Sequence, residues 1–173
     1  TRQEQSVKKV ACDEFISGLD ALNFSKEKIP HYSEVSSRLY KSTGWTLSPA
    51  DGLVEYDKFF YMLSKREFPA NQKIRPYEEL DFYTSPAPDI IHEYFGHCPL
   101  LMHKDFADFM QAYGLLASKQ SSEIQVLFSR IYWFTIEFGL ISSNKGLRIM
   151  GAGILPSLGE ISSVMENDVT NKK

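Results

Sequence analysis

The sequence predicts a mainly helical fold with short strands, on three observations. About six segments carry apolar residues at spacings of three and four. Only two short stretches read as strands, and proline or glycine falls between the periodic segments. The 173 residues are 43% apolar and 24% charged, enough to bury a sizeable core within one domain spanning 1–173.

From Gln3 to Leu22, the residues Val7, Val10, Ala11, Phe15, Ile16, Leu19 and Leu22 form one face of an amphipathic helix. Ser33 is the expected N-cap of a helix over 34–41, where Val35 and Leu39 are four apart, and Gly44 is its stop. Segment 45–54 holds Pro49 and Gly52 and reads as loop or short strand. Residues 55–65 are helical again, with Phe59, Phe60, Met62 and Leu63 apolar. Pro69, Pro76, Pro86 and Pro88 punctuate an irregular stretch with a short extended piece at 71–75. The pattern turns helical from Pro88, since proline suits a first helical turn. Lys104 to Ala117 is an amphipathic helix and Ser122 to Leu140 a long one. Arg148 to Leu155 is glycine-broken and apolar, which suits a short buried strand, and the polar tail from Glu166 to Lys173 is expected to fray.

A formal net charge of −3 excludes a strongly basic nucleic-acid binder and leaves small anionic ligands open. Cys12 and Cys98 form no disulfide framework, which points to a reducing, cytoplasmic setting. No apolar run reaches the roughly 18 residues of a membrane span. The chain opens at Thr1 with no secretory pattern, as a trimmed chain or a fragment would.

Two of the four histidines lie in Pro88-Asp89-Ile90-Ile91-His92-Glu93-Tyr94-Phe95-Gly96-His97-Cys98-Pro99. Residues four apart on an α-helix differ by about 40° around its axis, those five apart by about 140°. His92 and His97 therefore reach one metal only if the helix loosens between them. Gly96 permits that, and Pro99 opposes regular helix just beyond. This spacing argues against a zinc hydrolase built on H-E-x-x-H.

Forty residues after His97, Arg130 to Leu140 is apolar nearly all round, the mark of a buried helix, and Glu137 is its only carboxylate. A buried carboxylate must be protonated, paired with a cation such as Arg130, or bound to a metal. Two histidines and one carboxylate are the facial set that leaves three positions open on Fe(II). Zinc with the same ligands is the competing metal.

At these residues the sequence resembles the pterin-dependent aromatic amino acid hydroxylases, and most of all the bacterial phenylalanine 4-hydroxylases. The resemblance rests on the histidine segment, on Tyr132 to Leu140 and on Gly151-Ala152-Gly153-Ile154-Leu155, and extends in register over about residues 10–166. It implies a mainly α catalytic domain around an iron site, with the N-terminal edge and C-terminal part of the family domain missing. His92, His97 and Glu137 match the iron ligands. Phe68 matches a ring that stacks on the tetrahydropterin, with Leu63 backbone and the Glu93 carboxylate beside it. Arg75 matches a clamp for the amino acid carboxylate; Trp133, Phe138 and Gly153 match the pocket for its ring; Tyr132 matches a catalytic tyrosine near the metal. His31 and His103 match nothing there and read as surface or capping residues. The implied activity uses O₂ and tetrahydropterin to hydroxylate an aromatic amino acid, L-phenylalanine to L-tyrosine, in a monomer.

Three features depart from the family pattern, and the first and last of them favour the alternative of a non-catalytic or impaired relative that binds metal or pterin without turnover. Pro156 stands where the family has a serine that supports an iron-ligand histidine. The stretch from Arg75 to His92 is about two residues longer than usual, around Thr84 to Ala87, and family chains continue well beyond residue 173.

Overall fold

The computed structural model describes residues 2–25, 27–74, 76 and 88–166. Arg75, the longer stretch at Thr84 to Ala87 and the polar tail after Glu166 lie outside them. The fold is mainly helical, as expected.

The single helix expected over residues 3–22 is two, α1 (Arg2–Val10) and α2 (Asp13–Leu22). Between them Ala11 bridges Ile149, and the Cys12 N–H donates to the Ile149 carbonyl at 3.0 Å. Val7, Phe15 and Leu22 are all fully buried, so the apolar face runs straight through the backbone break. Helix α3 (Tyr32–Thr43) is capped two residues earlier than expected, by His31, whose Nδ1 accepts the Ser33 N–H at 3.4 Å. It ends as expected at Gly44, whose φ of 77° only glycine adopts without strain.

Strand β1 (Thr46–Ala50), helix α4 (Tyr56–Ser64) and strand β2 (Glu67–Asn71) form one unit. β1 and β2 pair in parallel, with Leu47 opposite Phe68 and Pro49 opposite Ala70. The second strand thus precedes the expected 71–75 and contains Pro69, tolerated because a two-stranded sheet has only edges. Arg66, at φ 57°, turns the chain into β2, and its guanidinium bonds Gln111 Oε1 (2.8 Å), the Thr43 carbonyl and the Asp108 carboxylate.

A π-helical turn (His92–His97) runs directly into α5 (Cys98–Leu101), followed by α6 (Lys104–Ala117) and α7 (Ser122–Tyr132). Pro99 sits in the first turn of α5, where its missing N–H is tolerated, so it continues the helix instead of stopping it. The expected helix to Leu140 stops early. A second π turn (Trp133–Glu137) ends it, and β3 (Leu140–Ser143) and β4 (Gly146–Ile149) form an antiparallel hairpin. Helix α8 (Leu158–Glu166) had no counterpart in the sequence reading. Among the described residues no helix is long and apolar enough to cross a membrane.

Two apolar clusters flank the first π turn. One gathers Trp45, Phe60, Leu63 and Met110 with Tyr94 and Cys98 of the turn and α5; the other gathers Phe15, Ile149, Ile154 and Leu155, with Phe95 packed against it. The turn is therefore gripped on both sides, which fixes where its histidines point.

Candidate metal centre and cavity

The histidine spacing of five is met by widening the helix. The Cys98 N–H bonds the Glu93 carbonyl, an i→i+5 bond that fits one extra residue into the turn. Gly96 serves close packing rather than unwinding: a Cβ there would lie 2.5 Å from the Ala152 carbonyl oxygen. The carboxylate arrives in the same way. The Phe138 N–H bonds the Trp133 carbonyl at 3.0 Å, so a π turn also delivers Glu137. Behind it, the Gly153 N–H bonds the Glu137 carbonyl at 2.8 Å.

His92 Nε2 and His97 Nε2 stand 3.0 Å apart; Glu137 Oε1 is 3.2 Å from His97 Nε2, and Oε2 is 3.6 Å from His92 Nε2. Bonds of about 2.1 Å meeting at a right angle span about 3.0 Å, whereas a tetrahedral angle needs about 3.4 Å. The three separations, 3.0 to 3.6 Å, bracket both values, so the donor atoms are close enough to share one ion and the choice of metal rests on donor chemistry. Nitrogen, nitrogen and carboxylate oxygen suit Fe(II) with open positions. Arg130, the alternative partner for Glu137, is exposed, and the carboxylate faces the two imidazoles instead.

Charge in the cluster is set by opposing effects. Burial pushes the Glu137 carboxyl up, but the His97 and His92 rings more than offset this and hold it below its ordinary value. Burial works against a charged His97, yet the Glu137 carboxylate raises it. Glu93 is 5% exposed and is pushed up to about 8, chiefly by burial, although His97 and the Asn71 N–H counter it. The Asn71 N–H donates to Glu93 Oε1 at 3.3 Å.

The three candidate ligands sit in the wall of a cavity of about 710 Å³. Glu93, Tyr132 and Trp133 also line it. Tyr132 is buried, and among the described residues its hydroxyl has no hydrogen-bond partner. Trp133 is 56% exposed and Phe134 72%, so the segment expected to be buried all round instead presents two aromatic rings at the cavity mouth.

Several residues stand elsewhere than the sequence reading implied. Phe68 borders the cavity but is 2% exposed and packs on His97 with centroids 4.8 Å apart, so it has no open face for a second ring. Leu63 is fully buried away from the cavity, where it underlies Gly114 of α6. Phe138 and Gly153 back onto Trp133 rather than lining the cavity: the Trp133 and Phe138 centroids are 4.6 Å apart, and Gly153 meets the Phe138 ring. His31 is a capping residue, as expected.

The structure adds residues that the sequence reading passed over. Phe59 of α4 is half-buried and lines the cavity beside Gly52, Leu53 and Val54. Asp89 is fully buried, and its Oδ1 accepts the His92 N–H at 2.9 Å, an N-cap on the ligand-bearing helix. An acidic residue three before His92 and just after Pro88 was the available signal.

Comparison with known proteins agrees with this arrangement. The family model for biopterin-dependent aromatic amino acid hydroxylases matches residues 2–173. The chain belongs to that family. The biopterin-dependent hydroxylases it resembles include the phenylalanine-4-hydroxylase of Vibrio cholerae, 37% identical over the whole chain, and that of Pseudomonas aeruginosa, 43% identical over 91% of it. In each case the chain spans 59% of the relative's length. The apo phenylalanine hydroxylase of Colwellia psychrerythraea 34H superposes with a TM-score of 0.89 at 46% identity, covering 96% of this chain and 63% of that one. The Chromobacterium violaceum hydroxylase with bound iron(III) and 7,8-dihydrobiopterin superposes at 0.88 and 38% identity, covering 95% of this chain and 60% of that one.

Proposed function

We propose that this chain carries the catalytic centre of an iron- and tetrahydropterin-dependent monooxygenase that converts L-phenylalanine to L-tyrosine with O₂. The observation that carries the reading is the His92/His97/Glu137 cluster, with His97 buried and its two partners half-buried, in the wall of an aromatic-lined cavity. Relatives named phenylalanine-4-hydroxylase, and a solved relative holding iron and phenylalanine, support the substrate.

In this reading His92 and His97 hold the metal as neutral imidazoles and Glu137 as a carboxylate. Bound iron, with a reduced pterin as electron source, supplies the oxygen chemistry. The protein positions the reactants and excludes water. Phe59 offers the pterin a half-open ring face, the backbone from Gly52 to Val54 runs beside it, and Glu93 holds a proton at its edge. Trp133 forms an apolar wall for the substrate ring, with Phe138 and Gly153 supporting it from behind, and the Tyr132 hydroxyl is free to bond a ligand in the cavity. Arg75 remains the proposed clamp for the substrate carboxylate, where a planar fork suits the task. We place the protein in a reducing compartment, on two cysteines that are both buried and free, and as a monomer.

The test is the Fe(II)-loaded chain supplied with tetrahydropterin, O₂ and phenylalanine. Tyrosine formation matched to oxygen uptake is expected; a folded, iron-retaining chain that makes none would overturn it. Pro156 favours a second reading, a binding protein without turnover: it is buried with its ring 3.1 Å from where a Gly96 Cβ would stand, and it brings no hydroxyl to the turn that holds His97. Pterin binding by calorimetry without coupled oxidation would select that reading.

A further inference from the structure

A path of ring contacts leads from the candidate metal cluster towards the surface. The His97 and Tyr132 ring centroids are 6.3 Å apart, and those of Tyr132 and Tyr113 of α6 are 6.4 Å apart. Tyr132 is 7% exposed, whereas Tyr113 is half-buried and touches the exposed Phe109 at 5.7 Å. Phe128 and Phe60 pack against Tyr113 at 5.2 and 6.1 Å, so the two phenols meet inside the apolar core. We propose that Tyr132 and Tyr113 form an electron relay that draws oxidising equivalents away from the metal when no substrate ring is there to take them. The inference rests on the iron-oxygenase reading above and concerns what the chain does when that chemistry misfires.

Packing alone does not account for a tyrosine at 132. Its buried hydroxyl has no hydrogen-bond partner among the described residues, and a phenylalanine would fill the same place without burying an unpaired polar atom. What the phenol adds is a ring that yields an electron readily and a proton to release with it. Phe68 and Phe59 also touch His97 and Tyr132, at 4.8 and 5.3 Å, but plain benzene rings are far harder to oxidise and lead no charge onward. Trp133 is oxidisable, yet its ring stands against Phe138 at the cavity mouth, so a charge placed there stays at the cavity. Tyr113 supplies the exit, and its hydroxyl, which donates to the Phe128 carbonyl at 2.6 Å, fixes the ring between Tyr132 and the surface. Each event moves one electron. Tyr132 gives an electron to the oxidised metal centre and its phenolic proton to water in the cavity. It regains an electron from Tyr113 and a proton from that water. Tyr113 releases its own proton to solvent and is left a neutral phenoxyl radical, which a soluble reductant such as ascorbate returns to tyrosine by giving one electron and one proton. The net transfer is one electron from the reductant to the metal centre and one proton from the reductant to solvent.

The test loads the 173-residue chain with Fe(II), omits pterin, phenylalanine and reductant, and adds hydrogen peroxide as the oxidant. Peptide mass spectrometry locates the oxidised residues, and electron paramagnetic resonance records the radical. A phenoxyl signal and oxidation of Tyr113 well above that of the iron-free chain are expected. In samples matched for iron content, Tyr132→Phe should bring Tyr113 oxidation down to the iron-free level. Tyr113→Phe should instead raise oxidation at Tyr132 and Trp133. Tyr40, 65% exposed on α3, reports oxidant that diffuses through solution and should be oxidised equally in all three chains. Equal Tyr113 oxidation in the parent and in Tyr132→Phe would overturn the relay, as would oxidation confined to residues 132–134 in the parent. Either result, obtained on an iron-retaining chain, leaves the hydroxylase reading standing. A chain that retains no iron removes the metal assignment and the relay with it.

Discussion

Gly18→Ala sets two known energies against each other, and the structure decides the sign. Gly18 lies inside α2, where alanine is the better helix former by about 1 kcal/mol. On an isolated helix the change would stabilise. A Cβ at this position, however, would stand 1.9 Å from the Pro99 carbonyl oxygen and 2.6 Å from its carbon. Carbon–oxygen contacts settle near ~3.3 Å, so α2 and α5 must part by about 1.4 Å. The obstructing atoms are backbone, and no rotamer change relieves them. Overpacking costs about 1–3 kcal/mol, and this site falls at the upper end, which leaves a net loss of about 2 kcal/mol. With a urea slope of about 2 kcal/mol per molar, the unfolding midpoint should fall by about 1 M. Ser17→Ala, at the exposed neighbour, should stay within about 0.5 kcal/mol of the parent. Because Pro99 follows His97 by two residues, Co(II) affinity should drop with the midpoint. A midpoint equal to or above the parent's would mean propensity won, and that α2 is not seated on α5 as described.

Four further outcomes follow from the site. Glu137→Ala should abolish iron retention on gel filtration, and full retention would remove the metal assignment. Metal binding must displace the His97 proton, which Glu137 holds more tightly than usual; Co(II) affinity should therefore begin to fall above pH 6.5 as the solution is acidified, with Glu137 limiting only below pH 4.5. In the metal-free chain Glu93 keeps its proton up to about pH 8, whereas the unfolded chain releases it near 4.5. The folded state thus binds more protons between these values, and stability falls as pH rises. Glu93→Gln should flatten that slope by about 1 kcal/mol per pH unit, and parallel urea curves at pH 5 and 8 would count against it. Arg66→Gln, which loses three anchors joining β2 to α3 and α6, should cost about 2 kcal/mol, or roughly 4–8 °C in a thermal melt.

The helices were legible because apolar spacing reports burial directly, and α4 and α6 fall close to where that spacing put them. The same signal cannot see backbone breaks that preserve the face. Val7 and Phe15 continue one stripe across the α1–α2 interruption, so the bridge from Ala11 to Ile149 left no trace in the pattern. Strand β2 was misplaced for a related reason. Every residue from Phe68 to Asn71 is buried, so alternation is absent, and Pro69 read as a break although an edge strand accepts it. The end of α7 was missed because Trp133 and Phe134 extend the apolar run. Apolar character there reflects the cavity mouth, not a buried face.

The metal cluster was more legible than the cavity around it, and the difference is physical. A ligand spacing of five is incompatible with regular helix, so the sequence itself demanded a distortion at His92–His97; the structure supplies it by widening and repeats the device at Trp133–Glu137. No comparable constraint singles out an aromatic ring for stacking. Phe59 and Phe68 are both apolar residues near turns, and only three-dimensional placement separates them. Phe68 fills the space behind His97, which makes it a support for a proposed metal ligand, while Phe59 keeps one side toward open volume. Their substitutions should therefore diverge. Phe59→Ala should weaken pterin binding by about 1–3 kcal/mol with the fold intact, since it removes a ring face at a cavity wall. Phe68→Ala should cost about 3–5 kcal/mol of stability and loosen the metal, since it opens a hole beneath an imidazole. If calorimetry instead finds pterin affinity unchanged in Phe59→Ala and lost in a folded Phe68→Leu, the ring assignment is reversed and the cofactor lies against β2.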